Sequence, residues 1–156
     1  MVNLAEWIRK AGKEQRVVEF QYPFVPDFYV KVAYASKSIL SQIREASKEF
    51  VSDLRTRVKE ERLNDEKLRR EYAMRVIKDW RGLTGAKLPK VVPGIVLQFE
   101  GGEVKADADI PYSVDIAVAL LEVSIEFENW VLDMATNIEN YSKIAEAKEV
   151  EYKNLS

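Results

Sequence analysis

Between residues 28 and 34 apolar and polar positions alternate. Phe28, Val30, Val32 and Tyr34 fall on one side, and Tyr29, Lys31 and Ala33 on the other. A period of two is the signature of a half-buried strand. Together with the preceding "RVVEFQYP" it predicts an antiparallel hairpin over residues 16–35. Pro23 and Pro26 belong in its turn, where a ring costs no ladder hydrogen bond. Ahead of the hairpin, "LAEWIRKAG" reads as a short helix ending at Gly12.

After Ser36 the period lengthens. Ile39, Ile43, Ala46, Phe50, Leu54 and Val58 recur at steps of three and four, which predicts one helix over about 37–60. Ser36 or Ser38 serves as its N-cap. Asn64 caps a second helix, about 65–81, with Leu68, Tyr72, Val76, Ile77 and Trp80 on one face. Gly82 is placed as its left-handed stop, and Lys78 and Arg81 suit its negative pole.

Residues 83–94 contain Gly85, Pro89, Pro93 and Gly94 and read as a loop. "IVLQFEGGEVKAD", residues 95–107, reads as a second hairpin turning at Gly101-Gly102. Ser113 then caps a helical region over 113–150, with Asp115 in its first turn. Its stripe runs through Ile116, Leu120, Val123, Phe127, Trp130, Met134, Ile138, Tyr141 and Ala145, as one helix or as two broken near Ser124. There is no internal repeat. The expected fold is α+β and mostly helical, a single domain over 1–156. It has two antiparallel β-hairpins, or one small antiparallel sheet made from both, packed on about four helices.

Composition removes whole classes of chemistry. The chain has no cysteine and no histidine. Disulfides, thiolate nucleophiles, Cys or His metal ligation and imidazole bases are therefore excluded. Asp107 and Asp109 are two carboxylates without a ligand-rich loop around them, a weak cation signal. No catalytic residue, metal ligand or cofactor-binding residue is assigned, and no enzyme is expected. No run is long and apolar enough for a signal peptide or a membrane span, so no membrane association is expected.

Charge is uneven. Residues 55–81 hold ten basic and six acidic side chains, and residues 107–156 hold three basic and eleven acidic. The two regions could attract within one molecule or between copies, so a homo-oligomer is one expectation. The basic segment 55–81 also raises a second functional reading, a nucleic-acid-binding or regulatory protein of a phage or mobile element. Against it, Glu60, Glu61, Glu66 and Glu71 are interleaved at helical spacing, which suits a solvated face, so nucleic acid is not the favoured partner. The stripe Phe127, Trp130, Met134, Ile138 and Tyr141 reads either as core or as a surface for a partner helix.

The order of the pieces carries one further signal. "FYVKVAYASKSILSQIREA" precedes a charged helix, then Val76, Trp80 and Gly82 in "VIKDWRGL", then a hairpin, then Pro111, Tyr112 and Ser113 in "IPYSVDIAVALLE", and Lys153-Asn154 near the end. From about Phe28 onward this resembles the tail assembly chaperones of long-tailed bacteriophages. In that family a strand runs into a Ser-led helix, and a V-x-x-W-x-G stretch precedes a P-Y-S/T helix start. The resemblance implies a protein of the host cytoplasm, not expected in the mature virion. It would bind the tape measure protein, keep it soluble and help recruit tail tube protein, without a cofactor. It also implies a longer product made by ribosomal slippage near Lys153-Asn154, which codons lacking an A-rich heptamer would rule out.

Overall fold

The computed structural model describes residues 3–94, 98–99, 102–103 and 105–142. Helix α1 (Leu4–Lys13) starts where the Asn3 side chain accepts a hydrogen bond from the Ala5 amide. It runs one residue past Gly12, whose missing side chain faces open space. Strands β1 (Val17–Gln21) and β2 (Tyr29–Ala33) form the expected hairpin, with Val17 opposite Ala33 and Gln21 opposite Tyr29.

The long helix expected over 37–60 does not form. Helix α2 (Lys37–Ser47), capped by Ser36, ends after eleven residues. A hairpin follows, made of β3 (Lys48–Ser52) and β4 (Lys59–Leu63). Polar interactions account for the switch. The Ser47 hydroxyl donates to the Ile43 carbonyl at 2.6 Å, a back-bond that competes with helix continuation. Across the ladder Lys48 pairs with Glu61 at 2.8 Å and Arg62 with Glu49 at 2.9 Å. At the turn the Asp53 carboxylate accepts from the Arg55 amide, and Arg57 takes a left-handed φ of 56°. Beyond Ile43 the apolar positions that suggested a helix meet no core among the described residues, and Phe50 and Leu54 stand 70% and 95% exposed.

The helix expected over 65–81 is also cut short. Helix α3 (Asp65–Arg75), capped by Asn64 as expected, gives way to strand β5 (Ile77–Arg81). Strand β5 adds to the free edge of β2, in the order β1-β2-β5. Trp80 therefore sits in a strand, and Gly82 ends a strand rather than a helix. Val32 pairs with Ile77 while Lys31 pairs with Asp79, so Lys78 is the extra residue of a β-bulge. The bulge turns Ile77 and Trp80 to the same buried face although they are three residues apart. Helix-like spacing here is produced by an irregular strand.

The loop 83–94 carries a short helix, α4 (Leu88–Val91), and buries Leu83 and Val91. Strands β6 (Gln98–Phe99) and β7 (Gly102–Glu103) form the ladder of the hairpin expected over 95–107, whose remaining residues up to 104 lie outside the described residues. Helices α5 (Val114–Val123) and α6 (Ile125–Thr136) divide the C-terminal region at Ser124. The Ser124 hydroxyl caps α6 by accepting from the Phe127 amide and donates to the Val91 carbonyl at 2.8 Å. The rest of the expected helical region, 143–150, lies outside the described residues, as do Lys153 and Asn154.

The fold is α+β. The described residues hold three small antiparallel sheets, against two hairpins expected, and seven helical segments, against about four, counting the turn at 139–142. One cluster of buried side chains joins β2 and β5 to α2, α3, α5 and α6, with Phe28, Val30, Ile77 and Phe127 fully enclosed.

Candidate functional site

Of the residues that carried the resemblance, Trp80 and Tyr112 meet in space. Val76 is buried at the end of α3. The Trp80 indole Nε1 donates to the Ile110 carbonyl at 2.9 Å. The Tyr112 ring stands edge-on to Trp80 with centroids 5.0 Å apart. Its hydroxyl lies 2.7 Å from the Ile77 carbonyl and 3.3 Å from that of Ala73. Burial raises the Tyr112 phenol above its usual pKa, and the Asp79 carboxylate adds to the shift. Ser113 caps α5, and Pro111 is exposed beside it. Gly82 adopts a φ of 81° and packs against the Asp27 carbonyl. Trp80 and Tyr112 thus clamp β5 to the segment that leads into α5, with their polar atoms satisfied within the chain.

The C-terminal stripe divides. Phe127 and Tyr141 are fully enclosed. The Tyr141 hydroxyl donates to the Val32 carbonyl at 3.3 Å, and burial drives its pKa upward, with Tyr34 adding to the shift. Trp130 and Met134 are half-buried, and Trp130 stands edge-on to Tyr22 at 5.0 Å. Ile138 is exposed. As the chain is folded here, Phe127 and Tyr141 have no surface to give a partner, and Ile138 has most of its own.

Apolar surface is instead displayed elsewhere. Leu4, Trp7 and Ile8 of α1 are all exposed, Trp7 at 59%, and none of the ten residues of α1 is buried. With Ala11 they follow the i, i+3, i+4, i+7 spacing of a helix that docks one face on a partner. At helical spacing Arg9 and Lys13 fall on the opposite side of α1, and Lys10 between that side and the apolar face. The β3–β4 hairpin adds Phe50, Leu54 and Val58. The helical spacing of α1 was readable in the sequence, but not that no element among the described residues covers its apolar face. That depends on where every other element packs.

Five of the ten basic side chains in segment 55–81 are ion-paired. Arg62 pairs with Glu49, Arg69 with Glu128, Arg70 with Asp115, Arg75 with Glu71 and Arg81 with Glu19. Among the described residues no group of three or more His, Cys, Asp or Glu side chains is placed to hold a metal ion. No helix among them is long and apolar enough to cross a membrane.

The family described as YdaY prophage protein matches residues 31–153, from within β2 onward. Among curated proteins and among solved structures, none matches.

Proposed function

The chain belongs to the YdaY prophage protein family, and from that premise we propose that it is a tail assembly chaperone. In this role it binds the tape measure protein in the host cytoplasm, keeps it soluble and helps recruit tail tube subunits around it. The observation that carries the reading is α1, a ten-residue amphipathic helix with no buried residue. Leaving a large apolar side chain in water rather than burying it costs roughly 1.5–3 kcal/mol. Leu4, Trp7 and Ile8 together therefore offer a partner several kcal/mol of favourable burial. A long apolar-rich helical polypeptide is the kind of ligand that such a face fits. The role needs no catalytic group and no cofactor.

The test is co-expression of the full chain with a fragment of the tape measure protein encoded in the same prophage. The fragment should stay soluble and co-purify. Trp7→Glu with Ile8→Glu should reduce recovered fragment by about tenfold or more, since each 1.4 kcal/mol lost is a factor of ten. A fragment that precipitates equally with and without the chain sinks the reading.

A further inference from the structure

A cleft of about 340 Å³ lies between α2, the end of α3 and β5, with the last residue of α1 at its edge, apart from the apolar face of α1. Its walls include Lys13, Gln15, Ser38, Gln42, Arg75 and Lys78, and among the described residues no carboxylate lines it. Three of those groups are cations and three are neutral hydrogen-bonding side chains. They come from four separate elements, so the fold rather than a local run assembles the positive charge.

Two of the groups are held in place. Arg75 spends its Nε on Glu71 at 2.7 Å and its Nη1 on the Gln42 side-chain Oε1 at 2.6 Å. Gln15 donates its Nε2 to the Arg75 main-chain carbonyl at 2.8 Å. The two lysines are less well compensated. Among the described residues the ion pairs take in Arg75 but neither Lys13 nor Lys78. Lys78 is the bulge residue, and its Nζ reaches the Met74 carbonyl at 3.3 Å. Burial, and then the positive charge of Arg75, lower its pKa below the usual lysine value. A charged Lys78 is therefore held at a cost, and an anion in the cleft would relieve it. The amino end of α2 opens on the same cleft and adds its positive pole to a field the three side chains already set.

The geometry points to this cleft as a binding site for a phosphate group. A phosphate dianion matches the two lysine charges left without carboxylates. Its oxygens can accept from ammonium groups, the Ser38 hydroxyl and the guanidinium at once. The volume also has room for the group to which the phosphate is esterified. The phosphate could belong to a free phosphomonoester or to a nucleic-acid backbone, and the test separates the two.

The full chain, labelled with nitrogen-15, is titrated with inorganic phosphate and followed by its amide resonances. Saturable shifts are expected at Gln15, Ser38 and Lys78. Lys13→Gln and Lys78→Gln should each weaken binding by about fivefold or more, the loss of one close charge at a partly screened site. Lys37→Gln, an exposed neighbour outside the lining, should leave it unchanged. Lys78→Gln should also keep or raise the thermal midpoint, because it removes a cation that the fold disfavours, so lost binding cannot be blamed on unfolding. A short oligothymidylate then assigns the source. Binding tighter than that of inorganic phosphate identifies a nucleic-acid backbone, and binding no tighter identifies a phosphomonoester. Shifts that do not saturate, or affinities equal in the wild type and both lysine variants, overturn the assignment.

Discussion

Gly82 combines a φ of 81° with a Cβ position that points into the Asp27 carbonyl. Gly82→Ala therefore meets two penalties, a left-handed backbone and a clash with main chain that cannot swing away. It should cost about 2 kcal/mol or more. Gly12→Ala is the control, since that glycine lies within α1 and faces open space. It should be neutral or stabilise by about 0.5–1 kcal/mol if α1 is coupled to global unfolding. Denaturant midpoints of the two variants read the contrast, and equal losses would contradict it. Tyr112→Phe keeps the ring against Trp80 but strips the hydroxyl from the Ile77 carbonyl, which should cost about 1 kcal/mol. The left-handed conformation at Gly82 was legible in the sequence. The reason for it was not, because Asp27 is brought there only by the pairing of β2 with β5. The same holds for Trp80 and Tyr112. Their spacing marked them out, and only the tertiary structure assigns them to a clamp.

Elements differ in how much of the molecule depends on them. No residue of α1 is buried, so deleting residues 1–13 should move the thermal midpoint by no more than a few degrees while abolishing capture of the tape measure fragment. Ser124→Ala removes both the α6 cap and the bond to Val91, and leaves that buried carbonyl without its donor. It should cost about 2–3 kcal/mol. A large loss of stability on deleting α1, or none at Ser124, would show that the burial pattern misleads. Caps are local, and Asn64, Ser113 and the pair Ser36 or Ser38 were legible because a side-chain oxygen three residues from its amide needs no distant partner; the structure selects Ser36. Strand β5 was not legible. Its bulge at Lys78 gives Ile77 and Trp80 the three-residue step of a helix, and only the free edge of β2 decides for a strand. The β3–β4 hairpin was lost for the opposite reason. Phe50, Leu54 and Val58 happen to keep helical spacing, while the deciding contacts are the charge pairs Lys48–Glu61 and Glu49–Arg62, each thirteen residues apart in sequence.

Over the whole molecule the opposed charges meet within one chain, as Arg69 with Glu128 and Arg70 with Asp115 join the basic middle to the acidic end. These pairs are partly exposed, and each contributes at most about 1 kcal/mol, less at high salt. Stability at the extremes of pH rests on other groups. The hydrogen bond from Arg81 holds Glu19 below its usual pKa, and hydrogen bonds from Asn64 and Arg62 do the same for Glu49. A depressed carboxylate contributes in full above its unfolded value of about 4.5 and loses that contribution as the pH falls through its folded value. Burial shifts Tyr22, Tyr72, Tyr112 and Tyr141 the other way, above about 10, with Tyr141 moved furthest. A raised phenol contributes in full below about pH 10. Above it the unfolded chain ionises first, and stability falls until the folded phenol would ionise too. Both carboxylates lie at the surface, whereas the phenols are packed into or against the core. The alkaline limb should therefore be the steeper one. Thermal midpoints from pH 3 to pH 12 should form a plateau through neutrality with a shallow acid shoulder and a sharp fall above about pH 10. Tyr141→Phe should soften that fall while Glu19→Gln leaves it alone, and a wild-type midpoint that holds steady through pH 11 would mean that the phenols ionise in place without opening the core.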